Sequence, residues 1–171
     1  MKNACIVGYG SIGPVHAKAL TETQSVNFYA VCDNNPDRID KCKEEYNVKA
    51  YLDFDEMLLD SEIDSVHICT PHYLHFEMIK KALASGKSVV CEKPVTITAE
   101  EFSELCSLAE EKNLVYFEAI MYMHSPARKA LKEAVATIGN IRSASFDFSQ
   151  LSSKYKALVN GELPNIFNPE M

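Results

Sequence analysis

The chain has 171 residues, 47% hydrophobic and 24% charged, and its 17 Lys and Arg against 24 Asp and Glu give a net charge of -7. That balance fits a globular domain and excludes the broad basic footprint of a phosphate-backbone binder, so nucleic acid is not an expected partner. No apolar run approaches the ~18 residues of a membrane span, and Met1-Lys2 leads directly into a strand-like run, so no membrane partner and a cytoplasmic location are expected.

In chain order, short apolar and β-branched runs at about 3–8, 26–32, 48–51, 64–69, 87–91 and 114–118 alternate with longer segments of helical spacing. The alternation predicts an α/β fold, a doubly wound parallel sheet of the Rossmann type. Punctuation agrees with it: Thr98 with Glu101 forms a capping box, Asp53 with Glu56 resembles one, and Gly86 ends a helix over 73–84. Ile138-Gly139-Asn140 closes a last helix. Beyond it Ala144, Phe146 and Phe148 alternate with Ser143, Ser145 and Asp147, which predicts a strand over 141–148 with one face to bury. The turn-rich text that follows, through Asn160-Gly161, Pro164 and Asn168-Pro169, holds no second layer for that strand. Residues 141–171 are therefore expected to be disordered in the monomer or ordered by pairing with a second copy, a homo-oligomer, the alternative being a strand that folds back on the first domain. Six cysteines without C-x-x-C spacing read as reduced core thiols, and no metal site is expected.

The chemistry-bearing residues stand where strands end. Gly8-Tyr9-Gly10-Ser11-Ile12-Gly13 follows the first strand and opens a helix, using three of the chain's six glycines where a pyrophosphate would lie on a helix N-terminus. Asp33, 20 residues past Gly13, ends the second strand, where a carboxylate accepts from ribose hydroxyls; it also suits the start of the turn into Asn34-Asn35-Pro36 or a helix cap. A methyltransferase pairs the same two features, so the later strands must decide. Cys69-Thr70-Pro71-His72-Tyr73-Leu74-His75 ends the fourth strand, Cys91-Glu92-Lys93-Pro94 the fifth and Glu118 to Tyr122 the sixth. In a doubly wound sheet these ends converge on one crevice. There the Lys93 amine is placed to hold a substrate hydroxyl and exchange its proton during hydride transfer, with Glu92 orienting it and Pro94 fixing the turn, by a cis bond if the turn requires one. His75 and His16 suit helix packing as well as a site, and His67 lies inside a strand.

With these residues in view, the chain resembles the N-terminal half of the Gfo/Idh/MocA oxidoreductases, the glucose-fructose oxidoreductase and inositol dehydrogenase group. The resemblance rests on Gly8-x-Gly10-x-x-Gly13 with His16-Ala17, Asp33, Thr70-Pro71-x-x-x-His75, Ala84-x-Gly86-Lys87 and above all Glu92-Lys93-Pro94. Glu118-Ala119-Ile120-Met121-Tyr122 with Pro126, then Ile138-Gly139-x-Ile141-Arg142, is similar to the family's passage into its second domain, closest to the sugar and dihydrodiol dehydrogenase branch; Met123 stands where an arginine is common. The resemblance implies Lys93 as the catalytic residue. It implies cofactor contacts at Gly8, Gly10, Ser11, Ile12 and Gly13, at Asp33 and Asn34, at Cys69, Thr70, Pro71, His72 and His75, and at Glu92, Lys93 and Glu118.

The organisation expected is a dinucleotide-binding domain over 1–123, a connecting helix over 124–140, and from 141 the start of a substrate and oligomerisation domain whose remainder the family carries beyond this length. Two functions follow. One is an NAD(P)-dependent dehydrogenase of a sugar, cyclitol or diol, represented by its cofactor half and preferring NAD to NADP because Asp33 has no basic residue directly after it. The other is a stand-alone NAD-binding module or inactive truncated form. Arg38, in the next turn, is expected to face solvent.

Overall fold

A computed structural model describes residues 1–147, 149, 151–152 and 154–162. They fall into two compact units, 1–120 and 121–171. In the first, six strands, β1 (Lys2–Val7), β2 (Val26–Cys32), β3 (Lys49–Tyr51), β4 (Ser65–Ile68), β5 (Ser88–Cys91) and β6 (Tyr116–Glu118), form one sheet in the order β3-β2-β1-β4-β5-β6. Every pairing is parallel. This is the doubly wound arrangement expected from the βα alternation, and each strand lies within two residues of its run in the sequence.

Period-two alternation divides the core. Cys5 and Val7 of β1 join Ala30, Cys32, Ile68, Val89 and Cys91 on one face, beneath α3 (Phe54–Leu58), α4 (His75–Ala84) and α5 (Ala99–Lys112). Ala4 and Ile6 join Phe28 and Val31 on the other, under α1 (Gly13–Glu22) and α2 (Pro36–Tyr46). A parallel sheet covered on both faces needs apolar residues at every position, which explains the unbroken strand text.

The helix signals act as read. Thr98 and Glu101 make a reciprocal capping box, and the Asp53 carboxylate accepts from the Glu56 N–H. All six cysteines are free thiols, and burial pushes Cys32 and Cys69 up to about 12, which leaves them inert. Two polar anchors hold the edge of the core away from the crevice. Asp60 accepts from Lys49 at 2.8 Å and from the hydroxyls of Tyr51 and Tyr29, and the first two of these donors hold its carboxyl well below the usual range. Lys87, 3% exposed, donates to the carbonyls of Asp60 and Ile63 at 2.7 and 3.0 Å.

The second unit contains α6 (Pro126–Thr137), capped by the Ser125 hydroxyl, and α7 (Tyr155–Val159). The strand expected over 141–148 differs: Ile141–Asp147 carries no strand pairing, and Phe148 lies outside the described residues. A strand exists through its ladder partner; alternation supplies the face to be buried and not the partner. The turn text around Pro164 and Asn168-Pro169 also lies outside the described residues. Among the described residues no helix is long and apolar enough to cross a membrane.

Candidate functional site

Because all six strands are parallel, their carboxyl ends share one edge, and β1 and β4 lie side by side where the winding reverses. The three glycines of the β1–α1 loop are there for different reasons. Gly8 has φ +88°, and a Cβ on it would come within 2.9 Å of the Cys69 main chain, so the ends of β1 and β4 touch through this residue. A Cβ on Gly13 would meet the Gly8 carbonyl oxygen at 2.5 Å, so it closes the loop onto α1. A Cβ on Gly10 meets nothing within 4 Å: its missing side chain faces open space.

Among the described residues, the N–H groups of Gly10, Ser11 and Ile12 donate to no protein acceptor, α1 has no side-chain cap, and Pro14 brings no N–H of its own. Orphan donors at a helix N-terminus with open space before them fit an anionic group such as a pyrophosphate.

Asp33 is 6% exposed. Its Oδ2 accepts from the Tyr9 N–H at 2.6 Å and its Oδ1 from the Asn35 N–H at 2.8 Å. The residue therefore begins the turn and also braces the glycine loop, while the cap of α2 is Asn35, which accepts from Asp37. Arg38 is exposed, as expected, and its Nη1 also lies 3.4 Å from Asp33 Oδ2. Asn34 is exposed beside them.

At the end of β4, Cys69 is buried, with its N–H donating to Val7; Thr70 is half-buried, and Pro71 and His72 are exposed. His75 is 1% exposed, and its two ring nitrogens each lie 2.8 Å from a main-chain carbonyl, that of Thr70 and that of Pro94. It thus ties the β4 loop to the β5 loop from beneath. The Lys93-Pro94 bond is cis. Glu118 accepts from the Val95 N–H at 3.2 Å, a second tie on the same loop.

Lys93 is exposed and, among the described residues, has no ion-pair partner. Glu92 does not reach its amine. The carboxylate lies 3.0 Å from His16 Nε2 and 3.4 Å from the Lys93 main-chain N–H. His16 Nδ1 in turn lies 3.1 Å from His67 Nδ1. The sequence left His16 open between helix packing and a site and placed His67 only inside a strand; His16 follows Gly13 by one helical turn, a spacing that puts it beside the glycine loop.

The whole of the first unit corresponds to one known architecture. Residues 2–120 match the family described as oxidoreductases with an NAD-binding Rossmann fold, GFO_IDH_MocA. The chain is 29% identical over 97% of its length to scyllo-inositol 2-dehydrogenase (NADP(+)) IolU of Bacillus subtilis, covering 51% of that enzyme. It is 33% identical over 70% of its length to mouse trans-1,2-dihydrobenzene-1,2-diol dehydrogenase, covering 37% of it. Among solved structures, scyllo-inositol dehydrogenase from Lactobacillus casei with bound NAD(H) and scyllo-inositol superposes with a TM-score of 0.77 at 29% identity, over 82% of this chain and 43% of that one. The chain spans about half the length of two curated relatives that it matches over nearly its whole length. With the glycine loop, the second-strand aspartate and the Glu92-Lys93-Pro94 turn at one sheet edge, and the family match running from β1 through β6, this chain belongs to the Gfo/Idh/MocA oxidoreductases.

Proposed function

We propose that the chain is the cofactor-binding half of an NAD(P)-dependent dehydrogenase that moves hydride between a nicotinamide and a hydroxyl-bearing carbon of a sugar, cyclitol or diol. The observation that carries this reading is that N–H groups with no acceptor among the described residues face open space at Gly10, on the same sheet edge as an exposed lysine at the end of β5. Gly10, Ser11, Ile12 and Gly13 hold the pyrophosphate, and Asp33 with Asn34 takes the adenosine ribose. Cys69 to His72 form the wall beside the dinucleotide, while His75 and Glu118 hold that wall and the Lys93 loop in place. The bound nicotinamide supplies the hydride acceptor or donor. Lys93 holds the substrate hydroxyl and takes its proton during oxidation, returning it during reduction.

NAD is the preferred cofactor in this reading, because the Asp33 carboxylate repels a 2'-phosphate; Arg38 opposes the preference by partly neutralising it. Relatives of both kinds occur, the Bacillus enzyme named for NADP(+) and the Lactobacillus structure holding NAD(H). A second reading is a module that binds the dinucleotide without turning over a substrate.

Fluorescence titration with NADH tests the binding claim, and an absence of saturable binding refutes it. Turnover by the 171-residue chain beside a longer form carrying a second domain separates the two readings. In a form that turns over, Lys93→Ala should lower kcat by about 10²–10⁴ with NAD affinity little changed; normal turnover by that variant removes Lys93 from the chemistry.

A further inference from the structure

We propose that His16 is a positioning residue that couples the dinucleotide loop to Lys93, by holding Glu92 from the first turn of α1 while Glu92 holds the main chain of Lys93. The inference rests on the cofactor reading above and adds a residue to it that neither the strand ends nor the motif spacing assigns.

The contacts form one continuous path over three elements that are far apart in the sequence. His67 on β4 meets His16 on α1, His16 meets Glu92 at the end of β5, and Glu92 accepts from the Lys93 N–H. The His16 and Glu92 side chains are 13% and 16% exposed, so water competes little for their contact. Counting hydrogens gives the path a direction. Two Nδ1 atoms meet at 3.1 Å only when one carries a hydrogen and the other a lone pair. Burial, with His16 alongside, pushes His67 down to about 4, so near neutral pH it is an uncharged ring offering one or the other. If His67 donates, the hydrogen of a neutral His16 is on Nε2, facing Glu92. That arrangement sets an N–H, and not a lone pair, against the Glu92 carboxylate, and the geometry is read in that direction.

A helix that carries the pyrophosphate donors at its start and the Glu92 anchor in its first turn makes cofactor binding and Lys93 placement one event. A purely structural His16 would stabilise the fold without making the state of Lys93 depend on the cofactor.

The test is acylation of Lys93 by an amine-reactive ester in the 171-residue chain, with and without NADH, read by peptide mass spectrometry against the exposed Lys41. At NADH tenfold above its Kd, mass action predicts about tenfold protection of Lys93 in the unaltered chain. His16→Leu should bind NADH with an affinity within about threefold, since the pyrophosphate donors are main-chain groups, yet protect Lys93 about threefold or less at equal saturation. His16→Gln, whose amide N–H replaces Nε2, should restore protection, and His16→Asn, whose amide falls at the Nδ1 position, should not. Full protection in His16→Leu overturns the proposal, as does equal protection in the Gln and Asn variants should the Leu variant fail to fold. An unaltered chain that binds NADH without protecting Lys93 refutes the placement of Lys93 and the coupling together. One that does not bind NADH refutes the cofactor reading, and the inference falls with it.

Discussion

Gly8 and Gly10 stand two residues apart in one loop, and the structure separates their roles sharply enough to predict opposite phenotypes. Gly8→Ala imposes a left-handed φ on a residue with a Cβ, at a cost of about 1–2 kcal/mol, and drives that Cβ to 2.9 Å from the Cys69 main chain, where overpacking adds about 1–3 kcal/mol. Neither neighbour is the movable end of a side chain, so the strain has no cheap outlet. The expected loss of about 2–5 kcal/mol corresponds, in a chain of this length, to a melting temperature lower by roughly 4–20 °C. Gly10→Ala meets nothing within 4 Å, and its φ lies outside the left-handed region, so its stability should be unchanged or higher by up to about 1 kcal/mol through the unfolded chain. Its methyl group stands where the pyrophosphate must approach, so NADH affinity should fall at least tenfold, a loss of about 1.4 kcal/mol or more. Thermal unfolding and NADH titration on both variants decide the matter. Gly10→Ala that melts as early as Gly8→Ala, or that binds NADH like the unaltered chain, refutes the assignment of the open space to the cofactor.

At the ribose end, calorimetry should find NAD(H) bound more tightly than NADP(H), Asp33→Ser should narrow the gap, and Arg38→Ala should weaken NADP(H) more than NAD(H); equal losses for both cofactors would remove Arg38 from the discrimination. His67 makes the fold acid-sensitive in a defined window. Its folded value of about 4 lies below the ordinary 6.5, so its contribution is complete above pH 6.5 and is lost as pH falls through about 4, because the unfolded chain takes the proton that the fold refuses. His67→Gln should flatten the dependence of unfolding free energy on pH across that window, where the titration is worth at most about 3 kcal/mol, and an unchanged slope would show that another group governs it. For the second unit, light scattering on the whole chain and on a version ending at Asn140 tests association through the exposed alternation around Phe146; two monomers of equal thermal stability would refute it.

Much of the fold was legible because its signals are local. Unbroken apolar runs mark strands covered on both faces, and capping pairs such as Thr98 with Glu101 mark where helices begin, so each element is written within its own few residues. The strand-end rule then carried the candidate residues to one edge. What escaped was set by contact across the sheet. Nothing in spacing says that His16, His67 and Glu92, separated by 51 and 76 positions from His16, share one path, nor that the exposed Arg38 also touches Asp33. Glu92 illustrates the point: adjacency to Lys93 suggested a pair, but neighbours at a strand end need not face each other, and the carboxylate found a ring on another helix. Ile141–Asp147 shows the converse, a correct local pattern whose meaning depends on a partner.

Lys87 gives the molecule a built-in reporter. Its amine is enclosed and committed to two carbonyls from the loop that follows α3, and burial lowers its affinity for a proton. A reagent that modifies surface amines must wait for this one until the loop over 60–63 releases it. The modification rate of Lys87, followed over time in the same chain, therefore measures how often that end of the Rossmann core opens, with no need for activity.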